Sequence, residues 1–294
     1  MRISFTAYHR VEYFSESLAS WNRVRGIDDC ERVVFLEPSP YADLMIAAAR
    51  EVSPKTLVTQ NPERNGVLTN PWVAMDSAFA HGSDFAILAE DDIIVSTDIL
   101  EYFLWAQWYF QEDLEVLAVC AFDSHLETVE QFGAGDVTKQ RWFSPLVWGT
   151  WSDRWSEKLR DTWDHDYTHN GWDWHIRHGV MQEDMFCVFP RLSRSTHIGQ
   201  YDGTHMQPSE FAQTQAGSFV EDRVSTLYSC VGYLDFWGGG LSQDLPPLDP
   251  NPPMHLTPGH FQKPPPLEGS GPNYPPRKAI VGGQSFDYDR QIGT

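Results

Sequence analysis

Three consecutive carboxylates, Glu90-Asp91-Asp92, interrupt an apolar stretch that runs from Phe85 to Ala89 and resumes at Ile93-Ile94-Val95. Acids this close together repel one another unless a cation stands among them. Hard oxygen ligands suit Mg²⁺ or Mn²⁺, which take one or two protein carboxylates and complete their shell with water and substrate phosphates. The competing reading is a solvated acidic turn, and the apolar residues on both sides argue against it. Further chemistry-bearing residues lie downstream. Asp173 stands between Trp172 and Trp174; Asp164, Asp166, Glu183 and Asp184 lie near it in sequence, and Arg191, Arg194, His197 and His205 share one loop.

The elements that must position these residues are legible from pattern. His81-Gly82-Ser83-Asp84 is a turn signal, and the apolar run after it reads as a buried strand of a parallel sheet. Acids at the C-terminal end of such a strand lie where open α/β folds bind ligands. Side chains alternate along an extended backbone, so Glu90 and Asp92 are expected to face one way and Asp91 the other. Ile3 to Ala7, Val33 to Leu36, Thr56 to Val58 and Leu117 to Phe122 read as further strands. Helices are predicted from Tyr13 to Val24, Tyr41 to Val52, Trp72 to Ala80 and onward from Ile99, with Ser96-Thr97-Asp98 supplying N-cap chemistry. The alternation predicts a parallel, right-handed crossover α/β domain. Neither GxGxxG nor GxxxxGK[ST] occurs, so no dinucleotide fold or P-loop is indicated.

Beyond residue 122 the pattern changes. Residues 123–241 are rich in Trp, with short helices expected from Trp151 to Trp163 and Trp172 to Arg177 and a strand at Phe186 to Phe189. Residues 242–294 form a Pro-rich tail, which Ile280-Val281 would re-anchor. By pattern the chain thus divides into an α/β half (1–122), a Trp-rich half of the same domain (123–241) and the tail. With 294 residues and 41% hydrophobic content it has ample material for a core. A formal charge of −20 argues against a nucleic-acid binder. No signal-peptide apolar region and no spanning run occurs, and the four cysteines form no CxxC, so a cytoplasmic chain with no membrane association is expected.

Four blocks in order resemble a known family. Glu90-Asp91-Asp92-Ile93 followed by Ser96 to Phe103 is similar to the strand–acid triplet–helix of GT-A glycosyltransferases, most of all the N-acetylglucosaminyltransferase I-like group. Leu117 to Asp123 is similar to the next strand of that family, Trp172-Asp173-Trp174 with Arg177 to its WDDW helix, and Cys187 to Ser195 to its C-x-x-P-x-x-S-R stretch, followed by Gly203-Thr204-His205. The resemblance covers about Ile3 to His205, and it implies that 1–122 is the nucleotide-sugar-binding half and 123–241 the acceptor-side and catalytic half of one domain. It implies a GT-A type, Rossmann-like mixed sheet flanked by helices, and a metal-dependent, inverting transfer of a sugar from a UDP-sugar, N-acetylglucosamine leading, to a hydroxyl acceptor. A saccharide is the default acceptor; hydroxymethylated viral DNA is an alternative, as are a silent nucleotide-sugar binder and a metal-dependent phosphohydrolase.

The resemblance also implies roles. Asp92 would bind Mn²⁺ or Mg²⁺, with His205 completing its shell or touching the diphosphate. Glu90 and Asp91 would contact the ribose and sugar of the donor, Glu37 the uracil, and Arg10 the nucleotide. Arg191 and Arg194 would clamp phosphate from a loop. Asp173 would be the base, its pKa raised by the flanking tryptophans, with Asp164, Asp166, Glu183 and Asp184 as competing bases. Trp142, Trp148 and Trp151 are either a sugar platform or core. Cys187 occupies a family cysteine position and Cys120 lies two residues from its partner position, so the two are neighbours as thiols or as a bridge. The membrane stem of the eukaryotic enzymes has no counterpart here, which suggests a bacterial enzyme or one acting in an infected host cytosol.

Overall fold

The computed structural model describes residues 1–123, 133–168, 171–181, 185–199, 219–222, 228–234, 278–281 and 284–287. His205, Glu183, Asp184 and the proline run through Pro276 lie outside the described residues.

The N-terminal half alternates as the sequence predicts: β1 (Arg2–Ala7), α1 (Val11–Asn22), β2 (Glu31–Leu36), α2 (Ala42–Val52), β3 (Leu57–Gln60), α3 (Gly66–Ala80) and β4 (Phe85–Glu90). Then come β5 (Ile93–Val95), α4 (Ile99–Tyr109), β6 (Val116–Cys120), β7 (Asp136–Gln140) and β8 (Trp148–Trp151). Two short helices follow, α5 (Ser152–Arg154) and α6 (Trp172–His175), each running into a π-helical turn. Last are β9 (Phe186–Pro190), β10 (Ser195–His197), β11 (Ser229–Leu234) and the hairpin of β12 (Lys278–Val281) and β13 (Gln284–Asp287). Ile280 and Val281 lie on β12, which approaches the turn at Ile27–Asp29.

Among the described residues nine strands form one mixed sheet in the order β11-β7-β9-β6-β8-β4-β1-β2-β3. β4, β1, β2 and β3 are mutually parallel. β8 runs antiparallel to both β4 and β6, and β7 antiparallel to β9, so a purely parallel sheet holds only for the N-terminal half. β7 escapes a periodicity reading because its residues are polar by type yet buried: Thr138, Lys139 and Gln140 all lie inside.

Strand alternation divides β4 between two cores. Phe85, Ile87 and Ala89 pack with α1 and α4, whereas Ala86 and Leu88 face a layer built from α3, Trp148, Trp155, Trp163 and Trp172. Trp163 and Trp172 stack at 5.3 Å. Trp148 and Trp151 are therefore core, and the sugar-platform reading fails for both. The helix α4 is apolar nearly all round and is buried accordingly. Cys120 and Cys187 are buried free thiols on adjacent strands, linked by a side-chain hydrogen bond.

β8 reaches its place only because Gly149 lacks a side chain. A methyl group there would meet Phe85 at 2.6 Å and the Ala86 carbonyl at 3.0 Å. Gly149→Ala should therefore destabilise the protein by about 1–3 kcal/mol, the usual cost of overpacking. Urea unfolding measures this, and an unchanged midpoint would show that β8 can yield.

Candidate functional site

β4 delivers the acids to the end of the sheet, but the strand stops at Glu90 and Asp91-Asp92 forms a turn before β5. The strict alternation expected from an extended backbone is thus broken. Glu90 follows the face of Ala86 and Leu88, while Asp91 and Asp92 both reach Arg10. The Arg10 guanidinium bridges them, at 2.5 Å to Asp91 Oδ1 and 2.6 Å to Asp92 Oδ2. The Tyr8 backbone N–H donates to Asp91 Oδ2 at 3.3 Å. His197 Nε2 lies 2.7 Å from Asp92 Oδ2, completing a basic collar around this carboxylate.

Burial and neighbours set the three acids apart. Burial, then the charges of Asp92, Asp91 and Asp173, push Glu90 up to about 8. Burial also pushes Asp91 up to about 6, against the pull of Arg10. Burial would raise Asp92 as well, but its contacts with His197 and Arg10 win and hold it below the usual carboxylate range. Glu90 near neutral pH is therefore mostly a protonated carboxyl able to donate to a hydroxyl, and Asp92 is the fixed negative charge. Burial works against the charge on Arg10, yet the two aspartates raise its pKa above that of an ordinary guanidinium.

His197 comes from far along the chain, and a second buried ion pair puts it in place. Arg194 is fully buried, with Nε 3.3 Å from Asp98 Oδ2 and its two terminal nitrogens donating to the carbonyls of Leu192 and Ala134 at 2.5 Å. Ser96 N–H donates to the Arg194 carbonyl at 2.9 Å. From this clasp β10 runs antiparallel to β5, pairing Thr196 with Ile94 and His197 with Ile93. Ile198 N–H donates to the Asp92 carbonyl at 2.9 Å. A methyl group on Gly199 would come within 2.0 Å of Asp92 Oδ2, so the backbone passes directly against the carboxylate.

Several expectations change here. Arg191 and Arg194 are not exposed phosphate clamps. Arg191 is buried against Asp123 at 3.4 Å, and Arg194 is spent on the clasp. Asp98 precedes α4 without capping it, because its carboxylate serves Ser96, Tyr228 and Arg194. Glu37 is buried and accepts from the Asn65 N–H at 2.9 Å and from Asn61 at 3.5 Å, which ties it to the start of α3. Burial raises its pKa.

Asp173 arrives from the other side. Gly171, at φ 124, turns the chain into α6 and sets Asp173 close enough to Glu90 for their charges to interact. Its carboxylate pairs with Arg177 at 3.2 Å. Arg177 lies 4.1 Å from the centre of Trp142 and 4.9 Å from that of Trp174, and donates to the Phe143 carbonyl at 2.8 Å. Trp172 instead points into the stacked core, so the two flanking tryptophans do not act as a pair on Asp173. Asp164 and Asp166 are exposed on the loop after Trp163.

Among the described residues no group of three or more His, Cys, Asp or Glu side chains is arranged to hold a metal ion. A divalent cation bound with a diphosphate does not need one, since one or two protein ligands suffice. Asp92 Oδ1 is buried without a hydrogen-bond partner among the described residues, and an acceptor left in that state suits a cation. Asp92, with His197 beside it, is the donor set that fits. Sequence reading passed over His197 because only the β5–β10 register shows that it meets Asp92.

Residues 72–215, just under half of the chain, match the model of the GNT-I family. The chain is GNT-I-like. The glycosyltransferase resemblance read from its sequence stands on that match, which takes in the acid triplet, Asp173 and the Arg194–His197 segment. Among solved structures it is similar to a mannosyltransferase from Pyrobaculum calidifontis in complex with GDP-Man and Mn²⁺, at 15% identity and a TM-score of 0.44, covering 64% of this chain and 54% of that one. It is also similar to S. aureus TarS 1-349, at 13% identity and a TM-score of 0.44, covering 65% and 60%. The chain thus spans less than two thirds of the length of either. No curated protein matches it in sequence. No helix among the described residues is long and apolar enough to cross a membrane.

The Glu90 carboxyl predicts a pH signature. Folded, it keeps its proton up to about 8, whereas an ordinary glutamate loses it near 4.5. The stability of the buried neutral form is complete below pH 4.5 and is lost as pH climbs to about 8. Glu90→Gln, neutral at every pH, should match wild type near pH 5 in chelator and melt higher near pH 9, by roughly 2–4 °C for each kcal/mol gained. Melting curves that stay parallel across that range would contradict the assignment.

Proposed function

We propose that the protein transfers a sugar from a nucleoside-diphosphate sugar to a hydroxyl acceptor, with inversion at the anomeric carbon. UDP-N-acetylglucosamine is the leading donor and a saccharide the leading acceptor. The supporting observation is that Asp173, on α6 and distant in sequence, lies near enough to the acid triplet for its charge to help raise the Glu90 pKa, within the segment that matches the family.

The chemistry follows from the groups present. The acceptor hydroxyl loses its proton to Asp173 as its oxygen attacks the anomeric carbon, and the bond from that carbon to the diphosphate oxygen breaks. Arg177 orients Asp173 and supplies its counter-charge, at 3.2 Å. Glu90 would contact a hydroxyl of the donor sugar, and Asp91 would serve the ribose. Mn²⁺ or Mg²⁺, held by Asp92 with His197 beside it, would neutralise the charge the diphosphate gains on leaving. Arg10 would add a second positive group on the nucleotide side. Glu37 shapes the base pocket indirectly, through Asn61 and the start of α3.

Two experiments separate binding from chemistry. UDP at about a hundred times its Kd should stabilise the protein by about 2.7 kcal/mol in the presence of Mn²⁺, read as a rise in Tm. Asp92→Ala should lose most of that rise, and a wild type unmoved by UDP, GDP or dTDP would remove the donor site. Asp173→Asn should keep the UDP-dependent rise and lose about 10²–10⁴ in kcat. Full turnover in Asp173→Asn would transfer the role of base to another carboxylate.

A further inference from the structure

The chain already carries a cation on Asp92, the acid a metal would use, and on its neighbour Asp91. Arg10 Nη1 and His197 Nε2 both lie against Asp92 Oδ2, at 2.6 Å and 2.7 Å, while Arg10 Nη2 holds Asp91 Oδ1 at 2.5 Å. The Gly199 backbone also passes against that oxygen, and Oδ1 is the atom of the carboxylate without a hydrogen-bond partner among the described residues. A divalent ion drawn to Asp92 would therefore meet a guanidinium already in contact with the carboxylate, and two cations a few ångströms apart in a partly dry site repel strongly.

Arg10 is also built to leave. Its backbone is fixed at the start of α1, where its carbonyl accepts from the Phe14 N–H at 3.0 Å. Its side chain is long, rests near the Tyr13 ring and keeps 20% of its surface in solvent. A guanidinium binds phosphate oxygens at least as well as carboxylates, through the same paired N–H geometry. The arriving diphosphate is thus the one group that can draw Arg10 off the acids.

We propose that Arg10 is a displaceable internal counter-ion that makes metal loading at Asp92 conditional on a nucleoside diphosphate. Without nucleotide, Arg10 satisfies Asp91 and Asp92 and competes with the metal. With nucleotide, it moves onto the diphosphate, and the vacated Asp92 carboxylate accepts the ion. Metal and nucleotide then strengthen each other's binding by the same factor, beyond the direct contact of phosphate with metal. Arg10 is a positioning residue in this scheme, and the scheme rests on the donor-site reading above.

The test is Mn²⁺ binding followed by the electron paramagnetic resonance signal of free Mn²⁺, with and without UDP. It compares wild type with Arg10→Met, which keeps the apolar stem and removes the charge. Removing a positive group from a metal site ordinarily does little or strengthens binding slightly; loss of a direct competitor should tighten Mn²⁺ binding without UDP by about 10-fold, within the 5–150-fold range of site–site coupling. The further tightening produced by UDP should shrink by the same factor. Arg10→Lys, which keeps charge but loses the two-pronged grip, should fall between the two and guards against a Met variant that folds poorly. Mn²⁺ binding without UDP that is no tighter in either variant overturns the proposal while leaving the donor site intact. A wild type that binds neither UDP nor Mn²⁺ removes the donor site and this proposal together.

Discussion

Three carboxylates at the end of one buried strand cannot all stay charged without help, and the surroundings of β4 are arranged to supply it. Each acid meets a different solution. Glu90 is half-buried among like charges, which pushes its pKa up to about 8. Asp91 is held by Arg10 and the Tyr8 N–H. Asp92 takes Arg10 and His197 and remains ionised. One strand end thus presents a neutral carboxyl, a tethered carboxylate and a strongly basic-flanked carboxylate side by side. Such graded protonation states are what a site needs when it must both donate to hydroxyls and hold a cation.

The arrangement depends on residues far from the acids. The Arg194–Asp98 pair locks the segment after β9 to the start of α4, and the β5–β10 pairing then carries His197 to Asp92. A buried pair of this kind is weak evidence for stability, since its desolvation cost is comparable with its attraction. Its value here is geometric, because it fixes register between two chain segments about a hundred residues apart. On the opposite side the stacked tryptophans around Trp172 make a rigid floor for α6, and Arg177, wedged between Trp142 and Trp174, holds Asp173 at its edge.

The N-terminal strands, the helices between them and the acid triplet were legible because hydrophobic periodicity reports burial directly. The mixed half of the sheet was not. β7 is polar in composition and buried through hydrogen bonds and ion pairs, such as Gln140 to Asp123 and Lys139 to Asp113. The roles of the basic residues were the least legible. Arg191 and Arg194 have the composition of a phosphate-binding loop, but burial turns them into internal struts. Arg10 and His197 gained their places from register and turn geometry that residue type cannot show. Asp173 was found through a resemblance, and the fold brings it to Glu90 by a glycine-dependent turn rather than by its tryptophan neighbours.

The central claim is that Asp92 anchors a divalent ion and the diphosphate of a donor at the end of β4. A crystal structure of the protein with UDP and Mn²⁺, with data collected at the manganese absorption edge, tests it most directly. An anomalous peak bonded to Asp92 and to the diphosphate is expected, with Arg10 moved from the carboxylates onto a phosphate oxygen. UDP bound elsewhere, or bound at the strand end with no anomalous peak at Asp92, would contradict it.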